Sequence, residues 1–150
     1  MKAFADKGRE YSIYPRVGVG VVVKRDNHVL LVKRNQQPNK GKWTVPGGLI
    51  ELGETLRQAI HREIEEECNI RITIEKFIDT FEYIETDHDN QIKYHYIILE
   101  YLAHYCTGKL AAKSDISDAR WIHSNSFRSL ESTNGTAELL NKICFFHNQK

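Results

Sequence analysis

The residues of this chain with the clearest chemistry are three glutamates, Glu63, Glu66 and Glu67, which lie close together in the sequence. At about 100° per residue, a helix places Glu63 and Glu67 one turn apart on one face, with Glu66 on the flank of that face. Clustered carboxylate oxygens are the ligands that Mg²⁺ and similar divalent cations prefer. Such a cation beside phosphate oxygens assists the attack of water on phosphorus. The spacing therefore predicts a metal-dependent site that cleaves phosphate linkages.

The alternative interpretation is a solvated acidic run on a surface helix, which is the usual situation of such runs. An apolar stripe begins further up the predicted helix, at Leu56, Ile60 and Ile64. Glu63 and Glu67 continue that stripe, so helical phase favours an inward orientation for both. The polar outer face is already supplied by the remaining positions, Gln58, His61, Arg62 and Glu65. Because an isolated buried carboxylate either takes up a proton or finds a cation, we expect a cation at this face and Glu65 in solvent.

The helix that carries the glutamates is predicted to begin at Leu56 and to run to about Cys68. Thr55 and Gln58 have the spacing of a capping box, in which each side chain satisfies the backbone of the other residue. Asn69 ends the helix, because asparagine is second only to glycine in tolerating the left-handed backbone of a helix C-terminus. Its predicted role is therefore one of backbone conformation, and glycine at this position is expected to hold or slightly raise stability.

The stretch from Gly48 to Ile70 resembles the signature of the Nudix hydrolases. It reads Gly-x5-Glu-x7-Arg-Glu-Ile-x-Glu-Glu-x-Asn-Ile, and its one departure from the family is Asn69, where the family has glycine. Outside this stretch, three further segments are similar to small ADP-ribose pyrophosphatase-like and MutT-like members: the glycine-containing hairpin 17–34, Gly41-x-Trp43-x-x-Pro46-Gly47-Gly48, and Asp118-Ala119-Arg120-Trp121. The resemblance thus extends over most of the chain.

The resemblance implies an α/β fold, a Nudix-type α/β/α sandwich with a mixed β-sheet, in one domain over residues 1–150. It implies a Mg²⁺-dependent hydrolase, with Mn²⁺ as a second candidate, that cleaves the pyrophosphate linkage of a nucleoside diphosphate derivative such as ADP-ribose. The alternative is a MutT-like enzyme that releases pyrophosphate from a nucleoside triphosphate, and a third hypothesis is a non-catalytic nucleotide sensor. Glu85 and Thr86 stand where one ADP-ribose subgroup carries a proline, which weakens the assignment to that subgroup.

The resemblance also implies roles for individual residues. The expected metal ligands are Glu63, Glu66, Glu67 and the carbonyl of Gly47. Glu54 and Arg62 are expected to orient these carboxylates and to neutralise them in part.

Two further assignments remain open. Asp115 lies six residues before Trp121 and is a candidate extra ligand or general base, whereas the alternative is a turn aspartate bonded to its own backbone. Arg34, with Gly47 and Gly48, is a candidate for substrate binding, and an exposed cation is the alternative for Arg34. Four aromatic residues are available to stack on a base, and most of them are expected in the core: Tyr14, Trp43, Phe81 and Tyr83.

Composition argues against several other classes of protein. A hydrophobic fraction of 41%, a charged fraction of 27% and a net charge of +1 are typical of a globular domain without the basic field of a long nucleic acid partner. No apolar run has membrane-spanning length. Cys68, Cys106 and Cys144 lack metal-ligand spacing and are predicted to be reduced, buried core residues in a cytoplasmic protein. A small nucleotide is the expected partner, and a homodimer is left open.

The remaining pattern predicts a sheet with helices packed on it. Residues 1–14 are expected to be a loose or partner-contacting arm. Valines alternate with Gly18 and Gly20 in the first strand, so one face of that strand is predicted to be partly bare. A turn at Asp26-Asn27-His28 leads to a return strand, and two long strands, 71–83 and 92–105, flank a tip at 87–90. A short strand around 120–122 and a helical tail over 136–146 are predicted to follow.

Overall fold

The computed structural model describes residues 9–146. Within that range the chain forms seven strands, two α-helices and one 3₁₀ turn, Ser124–Ser129. The strands are β1 (Arg16–Arg25), β2 (His28–Arg34), β3 (Trp43–Thr44), β4 (Gly47–Leu49), β5 (Arg71–Thr86), β6 (Ile92–Thr107) and β7 (Ile116–His123). The helices are α1 (Leu56–Cys68) and α2 (Asn134–Lys142). Neither helix is long and apolar enough to cross a bilayer.

The strands form one mixed sheet with the order β3-β2-β1-β6-β5, to which β4 adds beside β1 and β7 beside β2. The pairing of β1 with β6 is parallel, and the other pairings are antiparallel. The edge of β1 that faces away from β6 is divided between two partners. Lys24 and Arg25 pair with β2, whereas Gly18 to Gly20 pair with β4. This division places Gly47 and Gly48 of β4 directly beside the central strand.

The two helices cover opposite faces of the sheet, so the predicted α/β/α sandwich is confirmed. On one face, Val19, Val21 and Val23 of β1 pack against Ala59, Ile60 and Ile64 of α1. On the other face, Val22 of β1 and Leu31 of β2 pack in one cluster with Leu139 and Leu140 of α2. Alternate residues of β1 therefore contribute to both cores, which explains why its valines are buried on both sides.

Several local predictions are confirmed, and others need correction. Helix α1, the β1–β2 hairpin and the β5–β6 tip have the predicted positions. β7 is longer than predicted, because Ile116 and the residues after it pair with β2 along its whole length. Helix α2 is shifted towards the N-terminus: it begins after Thr133 and ends by Lys142, and Cys144 beyond it has a left-handed backbone with φ of 58°.

The prediction that all three cysteines are buried is wrong for two of them. Cys68 on α1 is buried, whereas Cys106 and Cys144 are exposed. Cys106 lies at the end of β6, and Cys144 follows α2. All three are free thiols, as predicted.

The predicted N-terminal arm is described only from residue 9 onwards, and residues 1–8 lie outside the described range. Residues 9–14 contain neither helix nor strand. They are nevertheless bonded to the β5–β6 hairpin, because the Tyr11 hydroxyl donates to Asp87 at 2.8 Å and the Tyr94 hydroxyl donates to Glu10 at 2.8 Å.

Candidate active site

Glu67 is the buried carboxylate of the predicted cluster. Its phase on α1 turns it inward, and 8% of the residue is exposed. Its Oε2 accepts a hydrogen bond from the backbone N–H of Gly47 at 3.2 Å. Burial raises the pKa of Glu67 to about 8, and the negative charge of Glu63 adds to this rise. The protein therefore does little to stabilise the charged form of Glu67.

Arg62 organises the other acidic residues around it. Its Nε and Nη2 donate to the two carboxylate oxygens of Glu54 at 2.6 and 2.8 Å, in the forked arrangement that suits a guanidinium. Its Nη1 donates to Glu63 at 2.7 Å and to Glu66 at 3.2 Å. The bond from Arg62 lowers the pKa of Glu54 to about 2, whereas burial raises the pKa of Glu63. One arginine thus fixes the positions of three carboxylates.

Gly47 and Gly48 are required by close packing. A Cβ on Gly48 would lie 2.5 Å from the carboxylate carbon of Glu63. A Cβ on Gly47 would lie 2.0 Å from the backbone oxygen of Val19. The missing side chains therefore let β4 lie against both the central strand and the acidic end of α1.

The predicted ends of α1 are confirmed. Thr55 and Gln58 form the capping box, and Asn69 has a left-handed backbone with φ of 62°. The side chain of Asn69 has a second role that the sequence did not indicate. It donates to the carbonyl of Lys109 at 3.0 Å and accepts from Nζ of Lys113 at 2.8 Å. Asn69 therefore joins the helix end to the loop that leads to Asp115.

A cleft of about 860 Å³ lies over this acidic end of α1. Glu63, Glu66 and Glu67 line it together with Arg34 and Arg9. Arg34, predicted as a candidate for substrate binding, is one of these lining residues. It is half-buried rather than exposed, its Nε donates to the carbonyl of Pro38 at 2.7 Å, and burial lowers its pKa.

Asp115 is brought into the same cleft. Its side chain accepts from the amide of Gln36 at 3.1 Å and pairs with Arg9 at 3.8 Å. These contacts cross to other segments, so its side chain is not engaged in the local turn that was the alternative interpretation. The negative charge of Asp115 also contributes to the raised pKa of Glu67.

The carboxylate oxygens of Glu63, Glu66 and Glu67 are the kind of ligand that a divalent cation prefers. All three lie at one end of α1, and Glu67 is buried without a paired cation. As they stand, however, no three His, Cys, Asp or Glu side chains within residues 9–146 are arranged to hold a metal ion. The reason is visible in the contacts: Glu63 and Glu66 are turned towards Arg62, and Glu67 is turned towards Gly47.

The cleft extends from the acidic residues to a second region near α2. Phe81 and Tyr83 line it, whereas Trp43 is buried and Tyr14, exposed, is not among the lining residues. Several further lining residues were not predicted from the sequence: Tyr96, Ile98, Glu100, Thr44, Thr136 and Leu139. The available signal was the phase of β6, in which Glu100 has the same orientation as its buried neighbour Leu102.

Comparison with known proteins identifies the family of the chain. The NUDIX domain family model matches residues 14–142. An ADP-ribose pyrophosphatase of Methanocaldococcus jannaschii is 30% identical over 81% of this chain and 71% of its own length. Among solved structures, a MutT NUDIX hydrolase from Burkholderia pseudomallei has a TM-score of 0.70 and 28% identity, covering 87% of this chain and 98% of the other. The NUDIX domain of Shewanella oneidensis NrtR, complexed with ADP ribose, has a TM-score of 0.70, 20% identity and 87% coverage of each chain. From the family match and these likenesses it follows that the chain belongs to the Nudix family and is a hydrolase of the pyrophosphatase type.

Proposed function

We propose that this protein is a Mg²⁺-dependent hydrolase that cleaves the pyrophosphate linkage of a nucleoside diphosphate sugar of the ADP-ribose type. The proposal rests on the environment of Glu67. This carboxylate is buried in the cleft, and its hydrogen-bond partner is a backbone N–H rather than a cation. Burying the charged form of a carboxylate without a counter-charge costs on the order of several kcal/mol. A divalent cation would supply that counter-charge.

Glu63, Glu66 and Glu67 would hold the cation, with the carbonyl of Gly47 as a further ligand. When bound, the cation would neutralise phosphate charge and lower the pKa of water. Mn²⁺ has similar ligand preferences and is the second candidate. Glu63 and Glu66 would exchange their bonds to Arg62 for this role, while the two bonds between Arg62 and Glu54 hold the arginine in place.

The arginines of the cleft supply the contacts to the substrate phosphates. Arg34 is half-buried and held by Pro38, so its guanidinium is preorganised to face an anion. Gly47 and Gly48 line the same cleft. Asp115 lines the same cleft as Glu67 and is our candidate for an extra ligand or for the base that accepts a proton from water.

The choice of a nucleoside diphosphate sugar rests on the relative from Methanocaldococcus jannaschii, which is described as an ADP-ribose pyrophosphatase and is 30% identical. A second candidate is release of pyrophosphate from a nucleoside triphosphate. It is supported by the likeness to a MutT NUDIX hydrolase at 28% identity and by Glu85 and Thr86 in place of the subgroup proline. A non-catalytic sensor is disfavoured, because such a protein would not need the complete set of acidic residues. The cytoplasmic location and the homodimer remain predictions.

A substrate panel with Mg²⁺ tests the proposal. ADP-ribose is expected to yield AMP and ribose 5-phosphate, and Glu67→Gln is expected to lose most of this turnover. Glu65→Gln is the matched control, because Glu65 is exposed on the same helix and should retain full activity. Release of inorganic pyrophosphate from a nucleoside triphosphate, with no cleavage of ADP-ribose, would replace the proposal with the second candidate. Tight binding without turnover would indicate a sensor.

A further inference from the structure

Glu100 is a second buried carboxylate in the cleft, and the proposed hydrolysis does not use it. It lies on β6, 8% of the residue is exposed, and it is one of the residues that line the cleft. Its Oε2 is buried and has no hydrogen-bond partner among the described residues. Such orphaned oxygens are uncommon in folded proteins and call for an explanation, because a buried acceptor without a donor is destabilising.

The packing around Glu100 is built to accommodate its carboxylate. β1 lies beside β6 with Gly20 opposite Glu100, and a Cβ on Gly20 would lie 2.0 Å from Oε2. The partly bare face predicted for β1 is thus occupied by this side chain. The charge of Lys142 acts on Glu100, but its ammonium is paired with Asp79. Glu100 is therefore held in a specific place without a partner.

The surroundings of Glu100 have the character of a site for a flat ring. Ile98 is the preceding residue on the same face of β6, and Phe81 is its cross-strand partner on β5. The ring of Phe81 also approaches Gly135 at the start of α2, where a Cβ would lie 3.2 Å from it. Asp79, which is paired with Lys142, is directly opposite Glu100 on β5, and Phe81 is its diagonal neighbour there. An aromatic and an aliphatic side chain thus share a sheet face with a buried acceptor, an arrangement that suits a base with one polar edge.

We propose that Glu100 is a specificity-determining residue that accepts a hydrogen bond from the exocyclic amino group of the substrate's base. The inference rests on the proposed function for the class of ligand, a nucleotide. Among the groups of a nucleotide, the phosphates are excluded as partners because they repel a carboxylate. An amino group in the plane of a base beside Phe81 would supply the missing donor once the carboxylate turns from Gly20 towards the cleft that Glu100 lines.

The test compares two ligands that differ only in this amino group, AMP and purine riboside 5′-monophosphate. Their dissociation constants are measured by calorimetry in the presence of Mg²⁺. The wild-type protein should bind AMP about tenfold more tightly or better, since a hydrogen bond to a charged group is one of the stronger kinds. Glu100→Met should bring the ratio close to one, and Glu100→Gln should leave an intermediate ratio because a neutral acceptor is weaker.

Two further variants separate recognition from folding. Gly20→Ala should reduce the ratio as well, because its Cβ would displace the carboxylate of Glu100 without removing it. Glu82→Met, an exposed position on β5, is the matched control and should keep the wild-type ratio. Equal binding of the two ligands by the wild-type protein, or an unchanged ratio in Glu100→Met, would overturn the inference. Equal binding is the result expected if Glu100 instead accepts a hydrogen bond from a ribose hydroxyl, which both ligands carry.

Failure of the proposed function would look different. In that case ADP-ribose would not be hydrolysed, while the preference for AMP and its dependence on Glu100 would persist. That outcome would support the role of Glu100 and refute only the assigned reaction.

Discussion

Replacing Asn69 by glycine tests whether this position serves the backbone alone. The sequence leads one to expect that glycine is neutral or stabilising, because it adopts φ of 62° without steric penalty. The structure predicts a loss instead, since the side chain bonds to Lys109 and Lys113. Two such bonds contribute about 1 kcal/mol each, and relief of the left-handed backbone returns at most about 1 kcal/mol. The net expectation is a loss of about 1 kcal/mol in the free energy of unfolding.

Thermal and urea unfolding of the wild type, Asn69→Gly and Asn69→Ala decide whether the Asn69 side chain contributes to stability. For a chain of this size, Asn69→Gly should lower Tm by about 2–4 °C. Asn69→Ala loses the same bonds and also bears the left-handed penalty, so it should lose about 2–3 kcal/mol. A glycine variant as stable as the wild type, with alanine less stable, would refute the bridging role and restore the interpretation of Asn69 as a backbone residue only.

Three further predictions follow from burial and close packing. Burial raises the pKa of Glu100 from 4.5 to about 7, despite the positive charge of Lys142. The protonated form of Glu100 therefore stabilises the fold at low pH, and this contribution is lost as the pH rises through about 7. Glu100→Gln should therefore stabilise the protein more at about pH 8 than at about pH 5, as measured by urea unfolding. Gly47→Ala should lower the free energy of unfolding by more than about 2 kcal/mol because its Cβ meets backbone. Gly48→Ala should be more stable than Gly47→Ala but lose turnover, because its Cβ meets the carboxylate of Glu63.

The sequence allowed α1 and its carboxylates to be predicted because both depend on local rules. Helical phase alone separates the inward Glu67 from the outward Glu65, and the capping residues Thr55 and Asn69 mark the two ends. The sandwich followed from the resemblance and from the order of elements.

Other features depend on contacts between distant segments and could not be predicted in the same way. The loop after β6 is bonded to Asn69 across about 40 residues of sequence, which no local pattern encodes. The face of β1 that carries Gly20 was predicted to be partly bare, and the sequence does not show that β6 places Glu100 there. Helix α2 was predicted too late in the chain, since Gly135 in its first turn weakens the local signal.

The central claim is that the acidic end of α1 holds a divalent cation that the hydrolysis requires. Its most direct test is Mn²⁺ binding by electron paramagnetic resonance, measured beside turnover of ADP-ribose, for the wild type, Glu67→Gln and Glu65→Gln. We predict that Glu67→Gln weakens cation binding and turnover together, at unchanged Tm or higher, while Glu65→Gln matches the wild type. Unaltered cation binding in Glu67→Gln, or full turnover in the presence of a chelator, would contradict the account.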